Sequence, residues 1–394
     1  MKTEDVINLY KQYVMETYGR IPLVPVKGKG MLLKDLHQRE FLDFFPGWAV
    51  SGLGHCHPKV VNAVKNQVTK IIHIPNNYYI LQQAKLAKEI IDNSFPGKVF
   101  FCNSGAEAVE GAIKLARAFG DGERFEIISM EKSFHGRTLA ALALTGQKKY
   151  QEGFEPMPEG FKCVPFADVE ALKKAITTKT CAIFIEPVQG EGGINVAPKE
   201  YLEAVRKLCN EKNILLVFDE IQTGMGRTGK IFAYQHFGIT PDAFVLAKSL
   251  GGGIPIGALV AAEKIAGILK PGMHASTFGG SPIACVAGLA VFKAIKEENL
   301  LQNVKEMGDY LRGKLAELKQ KYAFIEEIKG LGVMLGIKLS TEGKKIVDLC
   351  FERGLLINCT QGNILRIMPA LGVKKKEIDR MIKILDKVLT DVEK

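Results

Sequence analysis

The chain has 394 residues, enough for a large core divided into two or three lobes. Hydrophobic residues make up 47% and charged residues 24%, as in an ordinary soluble enzyme, and no apolar run is long enough to span a membrane. The net charge of +10 does not indicate nucleic-acid binding, because the lysines are spread along predicted helices rather than clustered. It favours small anionic ligands instead.

The N-terminal segment MKTEDVINLYKQYVMETY carries acidic residues and no apolar stretch, so it is not a secretory signal. Its apolar spacing predicts an amphipathic helix within residues 1–20. Eight cysteines occur without a CxxC pair, and the nearest approach to a metal cluster, His55-Cys56-His57, has no second pair of ligands. We therefore expect a cytoplasmic protein without a bound metal.

Short alternating runs at residues 31–36 and 40–44 predict a small antiparallel sheet. From Pro58 to about Ala284, helical patterns alternate with short apolar strands, which predicts an α/β fold with a mainly parallel sheet and helices on both faces. Beyond Pro282 the pattern changes to a small α+β lobe. The predicted domains are an N-terminal segment (1–50) packing with the small domain, a large domain (51–287) and a small C-terminal domain (288–394).

Two apolar runs in the large domain, 214–218 and 243–247, predict buried strands. Asp219 follows the first run and Lys248 follows the second. A carboxylate and an amine at neighbouring strand ends indicate a site in the crevice of an open α/β sheet. Pyridoxal phosphate needs such a pair, a lysine to carry it and an acid to keep its ring nitrogen protonated. A buried salt bridge at the sheet edge is the alternative.

The run KVFFCNSGAEAVEGAIKLARAF predicts a strand, a tight turn and a helix. Ser104 and Glu107 form an S-x-x-E capping box, which is common and usually only structural. The turn also offers free N–H groups, a hydroxyl and the side-chain-free Gly105 at a helix N-terminus, as a phosphate requires. Since Glu107 adds negative charge there, its side chain is expected to point away from the phosphate.

Other polar groups follow apolar runs further along the chain. In SFHGRT, Phe134 could stack on a flat ring and Arg137 could hold a carboxylate. Glu191 lies in the Gly-rich loop of EPVQGEGG. Arg366 stands alone in the apolar run NILRIMPAL, where an isolated buried charge would be costly, so it needs an anion from the protein or a substrate.

Six motifs in order resemble the set found in the class III pyridoxal-phosphate aminotransferases: SGAEAVEGAIKLAR, SFHGRT, EPVQGEGG, FDEIQTGMGRTG, LAKSLGGGIPIGA and HASTFGGSP. The resemblance runs from about residue 20 to the C-terminus. It implies the PLP-dependent transferase fold, aspartate aminotransferase-like fold type I. Within the class, YGRIPLVPVKGKGMLLKD and LGHCHPKVV resemble the acetylornithine aminotransferases of arginine biosynthesis.

The resemblance implies that eight residues bind pyridoxal 5'-phosphate: Ser104, Gly105, Ala106, Phe134, Asp219, Gln222, Lys248 and Thr277. Lys248 would carry the cofactor as a Schiff base and move the substrate proton. Asp219 would pair with the pyridine nitrogen, and Gln222 would reach the ring hydroxyl. Residues 104–106 would hold the phosphate and Phe134 would cover one ring face. Thr277 would reach the phosphate of the neighbouring subunit, which implies a homodimer with shared sites.

The resemblance also implies four substrate-binding residues: Arg137, Glu191, Ser276 and Arg366. Arg137 and Ser276, the latter across the interface, would bind the acylated ornithine. Arg366 would take the α-carboxylate of glutamate and 2-oxoglutarate. Glu191 would pair with Arg366 while the ω-amino substrate is bound and swing aside for the dicarboxylate.

The expected reaction is transamination of N-acetylornithine with 2-oxoglutarate, giving N-acetylglutamate 5-semialdehyde and glutamate. Succinylornithine, lysine-pathway, ornithine and 4-aminobutyrate aminotransferases are the alternatives within the class. A PLP-dependent aminomutase is the alternative outside it, and it would need neither the Glu–Arg gate nor a keto acid. Trp48, where this family often has a smaller apolar residue, departs from the pattern and leaves the shape of the substrate pocket open.

Overall fold

The computed structural model describes residues 2–393. Within that range the α-helices are α1 (Thr3–Tyr13), α2 (Pro58–Val68), α3 (Leu81–Asp92), α4 (Gly105–Phe119), α5 (Leu139–Leu144), α6 (Val169–Ala175), α7 (Lys199–Lys212), α8 (Glu263–Ala266), α9 (Pro282–Glu297), α10 (Leu300–Lys321), α11 (Lys344–Glu352) and α12 (Lys375–Glu393).

The strands within the same range are β1 (Pro25–Lys29), β2 (Leu32–Asp35), β3 (Glu40–Asp43), β4 (Gly97–Cys102), β5 (Glu126–Met130), β6 (Phe161–Val164), β7 (Thr180–Ile185), β8 (Val188–Gln189), β9 (Asn195–Val196), β10 (Leu215–Asp219), β11 (Ala243–Leu246), β12 (Gly257–Ala262), β13 (Ile325–Leu331), β14 (Met334–Leu339), β15 (Leu355–Leu356), β16 (Asn358–Thr360) and β17 (Ile364–Ile367).

A seven-stranded sheet with the order β4-β12-β11-β10-β7-β5-β6 forms the centre of the molecule. Strands β11, β10, β7, β5 and β6 are parallel to one another. Strand β12 pairs antiparallel with both β11 and the edge strand β4, so β12 alone runs in the opposite direction. In β10, Leu216 and Phe218 point into one apolar core, and Leu215 and Val217 point into a second core shared with α4. Apolar side chains on both faces explain why this strand is uniformly hydrophobic, as buried parallel strands are. The predicted α/β fold is confirmed.

The N-terminal strands β1, β2 and β3 form the antiparallel sheet that the sequence predicted. A strand from the far end of the chain, β15, completes this sheet in parallel with β3, and Leu355 lies opposite Leu42. A third sheet, β13-β14-β17-β16, belongs to the C-terminal part. Residues before position 50 therefore hydrogen-bond directly to residues beyond position 350.

The helix α9 connects the large sheet region to the C-terminal elements. It is continuous from Pro282 to Glu297 and packs on α2 and α3. The predicted domain boundary between residues 287 and 288 falls inside this helix and stays a prediction. None of the helices in residues 2–393 is long and apolar enough to cross a bilayer.

Candidate active site

Two neighbouring parallel strands bring Asp219 and Lys248 together. Asp219 is the last residue of β10 and lies opposite Val245 of β11, and Lys248 follows the end of β11 by two residues. Because the strands are parallel, both side chains lie at the carboxyl edge of the sheet, where open α/β folds bind ligands. Both line a cavity of about 430 Å³.

Most of the residues predicted for the site line this cavity, namely Ser104, Gly105, Ala106, Phe134, Arg137, Glu191, Asp219, Gln222 and Lys248. Three of the predicted residues lie outside its lining. Arg366 is buried behind Glu191, and Ser276 and Thr277 lie in a neighbouring loop.

Lys248 begins a short 3-10 turn that ends at Gly251, and its backbone is left-handed, with φ of 45°. Such a backbone is uncommon for a side chain with a Cβ and is frequent at functional sites. Burial lowers the pKa of Lys248, although the nearby carboxylates of Glu191 and Asp219 oppose the shift. A lowered pKa increases the uncharged fraction of the amine, the form that acts as a nucleophile or base.

Asp219 has a partner that the sequence did not predict. Its Oδ2 lies 2.8 Å from Nδ1 of His135, and its Oδ1 accepts a hydrogen bond from the N–H of Ile221 at 3.0 Å. Burial alone would lower the pKa of His135, but the hydrogen bond and charge of Asp219 raise it overall. These two contacts fix the orientation of the Asp219 carboxyl group, which lines the cavity.

Glu186 is a second site residue absent from the predicted set. Its two carboxylate oxygens accept hydrogen bonds from the N–H groups of Phe134 and Gly190, each at 3.1 Å. Burial raises the pKa of Glu186 to about 7, the charge of Asp219 adds to the shift and His135 opposes it. The carboxyl group thereby fixes the segment that carries Phe134 against the loop that carries Glu191.

The N-terminus of α4 forms one wall of the cavity. Ser104 Oγ accepts a hydrogen bond from the N–H of Glu107 at 3.2 Å, and the Glu107 carboxylate accepts one from the N–H of Asn103 at 2.6 Å. Ser104 caps the helix as predicted, but Glu107 binds the N–H of Asn103 and not that of Ser104, so the reciprocal bond of a capping box is replaced by one to the preceding residue. Glu107 is not among the residues that line the cavity. The first N–H groups of a helix have no partner within the helix. A Cβ on Gly105 would come within 2.9 Å of Cδ1 of Ile221, so glycine lets the Ile221 side chain pack closely on this turn.

These residues fit the predicted cofactor. Gln222 is buried against the cavity, and neither oxygen nor nitrogen of its amide has a hydrogen-bond partner within residues 2–393. A buried amide without partners is costly, so a ligand with a polar ring substituent would satisfy it. The helix N-terminus suits a phosphate, Asp219 suits a protonated ring nitrogen and Lys248 suits a covalent attachment.

Glu191 and Arg366 form a buried ion pair beside the cavity. Their side chains meet in two hydrogen bonds, from Nη1 to Oε1 at 2.5 Å and from Nη2 to Oε2 at 3.2 Å. Arg366 is completely buried, whereas the cavity is lined by Glu191. Glu191 is therefore the anion that the isolated arginine of NILRIMPAL needed, and it must move before Arg366 can bind a ligand.

Aromatic rings cover the Arg366 guanidinium on another side. Its central carbon lies 4.7 Å from the ring centroid of Phe45 and 5.3 Å from that of Trp48. Trp48 thus packs on the ion pair and is not among the residues that line the cavity. Arg137 is exposed at the cavity and lies over the Tyr150 ring, 4.2 Å from its centroid.

The loop that carries Ser276 and Thr277 packs beside the N-terminus of α4. Ser276 Oγ accepts a hydrogen bond from Asn103 Nδ2 at 3.1 Å within the same chain. Thr277 is exposed and does not line the cavity. The single chain therefore brings this loop to the rim of the site and leaves the Thr277 side chain facing outward.

Comparison with known proteins shows the family to which this chain belongs. The family Aminotransferase class-III matches residues 13–389, nearly the whole chain. The chain belongs to this family and is an aminotransferase with the fold of the fold-type I enzymes, as the resemblance predicted.

Several individual members of the family are similar to this chain over its whole length. The acetylornithine aminotransferase of Methanocaldococcus jannaschii is 53% identical, with all of both chains covered. That of Caldanaerobacter subterraneus is 50% identical over 98% of this chain and all of the relative. Among solved structures, the ornithine aminotransferase of Toxoplasma gondii is 32% identical with a TM-score of 0.95, and covers all of this chain and 96% of its own. The acetylornithine aminotransferase of Elizabethkingia anophelis is 29% identical with a TM-score of 0.88, over 99% and 100% of the two chains.

Proposed function

We propose that this aminotransferase uses pyridoxal 5'-phosphate to transfer the ω-amino group of N-acetylornithine to 2-oxoglutarate, in arginine biosynthesis. The products are N-acetylglutamate 5-semialdehyde and glutamate. The observation that carries the proposal is the Glu191–Arg366 ion pair beside a cavity lined by Lys248 and Asp219. The full-length relatives named acetylornithine aminotransferase support the choice of substrate. The eight free cysteines support a reducing, cytoplasmic compartment.

Each predicted site residue would have a separate role in this reaction. Lys248 would anchor the cofactor covalently and move the proton at the substrate carbon. Asp219, backed by His135, would hold the ring nitrogen in its protonated state, and Gln222 would contact the ring hydroxyl. When bound, the cofactor supplies an electron sink for the carbanion that loss of this proton creates. Residues 104–106 would hold its phosphate, and Phe134 would cover one face of the ring.

The two substrates place different demands on the carboxylate-binding residues. N-acetylornithine presents an amine at a carbon without a carboxylate, so Arg366 must be neutralised by Glu191 when it binds. Glutamate and 2-oxoglutarate carry a carboxylate at that carbon, which would replace Glu191 on Arg366. The exposed Arg137 would bind the distal carboxylate in each case, with a planar pair of donors suited to it.

If Glu191 and Arg366 form a gate that is closed for the ω-amino substrate and open for the dicarboxylates, two single substitutions should have opposite effects. Arg366→Ala should slow the half-reactions with glutamate and 2-oxoglutarate about 10²-fold or more, the scale of a lost buried charge pair. Its half-reaction with N-acetylornithine should suffer less, because Arg137 still holds that substrate. Glu191→Ala should do the reverse, since Arg366 then meets the ω-amine without a neutralising carboxylate.

Single-turnover rates of both variants with each substrate measure this effect. Unfolding by urea serves as the control, because Arg366→Ala leaves Glu191 buried without its cation and lowers stability by itself. If both variants lose both half-reactions to the same extent, the ion pair is only structural.

We also propose a homodimer with shared active sites, in which Ser276 and Thr277 complete the site of the second copy. Exposed apolar side chains around this loop support this: Phe278 is 62% exposed, its ring lies 5.1 Å from that of His73, and the adjacent Ile72 is 63% exposed. Thr277→Ala should weaken cofactor binding, and mixing it with Lys248→Ala subunits should restore activity, because one site of the hybrid then has both residues intact. Sedimentation of a fully active monomer would contradict the dimer.

A donor panel tests the proposed substrate. The values of kcat/KM are measured with 2-oxoglutarate and N-acetylornithine, succinylornithine, N-acetyl-lysine, ornithine or 4-aminobutyrate. We expect N-acetylornithine to give the highest value. A preference for ornithine or 4-aminobutyrate would refute the proposed substrate and leave the aminotransferase class intact. Turnover of an amino acid without any keto acid would instead indicate an aminomutase.

A further inference from the structure

The hairpin of β16 and β17 carries the residues that organise the Glu191–Arg366 gate. Arg366 lies in β17, opposite Asn358 of β16. Asn358 Oδ1 accepts hydrogen bonds from Nε of Arg366 at 2.8 Å and from Nη2 at 2.5 Å. The guanidinium is therefore held by its own hairpin, whether or not Glu191 is in contact with it.

The end of the same hairpin holds the main chain of Glu191. The Glu191 carbonyl accepts hydrogen bonds from Thr360 Oγ1 at 2.7 Å and from Gln361 Nε2 at 2.8 Å. Gln361 has a left-handed backbone, with φ of 52°, an uncommon conformation that persists when surrounding contacts determine it. Both ends of Glu191, carbonyl and carboxylate, are thus attached to one hairpin.

The sequence around Glu191 explains why such an attachment is needed. Glycines precede and follow Glu191, at positions 190, 192 and 193. Glycine gives the backbone large conformational freedom, so this loop would not keep one backbone conformation without contacts to other parts of the chain. With the carbonyl fixed, opening of the gate requires only side-chain rotation of Glu191, and the carboxylate returns to the same place on Arg366.

Gln361 also connects the gate to the wall of the cofactor site. Its Nε2 lies 3.1 Å from Oε1 of Gln147. Gln147 in turn donates from Nε2 to the carbonyls of Lys132 and Ser133, at 3.2 and 3.1 Å. These residues immediately precede Phe134, which lines the cavity.

We propose that Thr360 and Gln361 are positioning residues that set the balance between the closed and open states of the gate. This inference rests on the proposed function. Loss of one anchor makes the closed Glu191–Arg366 pair less favourable, because the loop must be ordered each time the pair forms. Ligands that require the open gate then bind more tightly, and those that require the closed gate bind more weakly, in proportion to the populations.

Thr360→Val, which removes the hydroxyl at constant shape, is the test. Stopped-flow titration should show a higher Kd for N-acetylornithine and a lower Kd for glutamate, with their ratio shifted about two- to tenfold, as for one lost hydrogen bond. Thr360→Ser keeps the donor and should retain the parent ratio. Gln361→Gly removes the second anchor and suits the left-handed backbone. It should shift the ratio in the same direction, and it replaces Thr360→Val if that variant does not fold.

A double-mutant cycle separates this role from general loosening of the fold. In the Glu191→Ala background, Thr360→Val should leave the Kd of glutamate unchanged, because the side chain that it positions is absent. An equal effect of Thr360→Val with and without Glu191, or equal weakening of both ligands, overturns the inference. If the parent enzyme does not react with N-acetylornithine, the proposed substrate fails, whereas the cycle with glutamate still tests the anchors.

Discussion

Replacement of Lys248 by alanine is expected to abolish transamination while the protein still folds. Lys248 lines the cavity and burial lowers its pKa. Under the proposed function it would serve both as the covalent anchor of the cofactor and as the base. Loss of a positioned general base alone typically costs about 10²–10⁴-fold in rate, and loss of the anchor adds to this. The variant should bind pyridoxal phosphate only non-covalently.

Borohydride reduction followed by peptide mapping measures the attachment directly. In the parent enzyme the label should lie on the peptide that contains Lys248, and Lys248→Ala should carry none. Lys270, exposed on the surface, offers a matched control, and Lys270→Ala should label and turn over like the parent. A label on any other lysine would show that the anchor is misassigned.

Replacement of Asp219 by asparagine is expected to have the next largest effect. The variant keeps the shape and removes the charge that faces the cavity and pairs with His135. Removing one preorganised electrostatic group costs roughly 10²–10⁴-fold in rate, so the half-reactions with both substrates should slow by at least that amount. Unlike the gate variants, Asp219→Asn should affect both substrates alike.

Single-turnover rates at saturating substrate isolate this chemical effect from binding. Asp121→Asn, an exposed change of the same kind, controls for the loss of a negative charge. The pKa of His135 should also fall in Asp219→Asn, because Asp219 is what raises it against burial. Near-normal turnover would mean that another acid keeps the ring nitrogen protonated.

The sequence was sufficient to predict that Asp219 and Lys248 follow buried strands and that Ser104 caps a helix, because short segments of sequence carry these signals. The runs before Asp219 and Lys248 are buried strands, and parallel pairing brings their ends together at one sheet edge. Ser104 caps α4 as the S-x-x-E pattern predicted. Such features depend on residues within a few positions of each other, where periodicity and capping rules apply.

The residues missed by sequence reasoning act through contacts between distant segments. His135 lies in the quoted motif SFHGRT, yet its partner Asp219 is 84 positions away. Phe45 reaches Arg366 from the N-terminal part of the chain, and Thr360 binds the Glu191 carbonyl across 169 positions of sequence. The place of His135 in SFHGRT was the available signal, and a motif does not identify the partner of its histidine.

The strand that joins the two ends of the chain could not be predicted from local patterns, for a physical reason. Strand β15 joins the N-terminal sheet through Leu355 and Leu42, a pairing across more than 300 residues that no local pattern encodes. The predicted boundary also falls within α9, which has no turn or glycine-rich linker to mark a division.

The visible absorbance of the purified enzyme through two separate half-reactions tests the proposed function most directly. N-acetylornithine alone should discharge the absorbance of the bound cofactor in one turnover, and 2-oxoglutarate should then restore it with formation of glutamate. This exchange requires the cofactor, Lys248 and a site that accepts both substrates in turn. An absorbance that does not respond to N-acetylornithine, or that recovers without any keto acid, would contradict the proposed function.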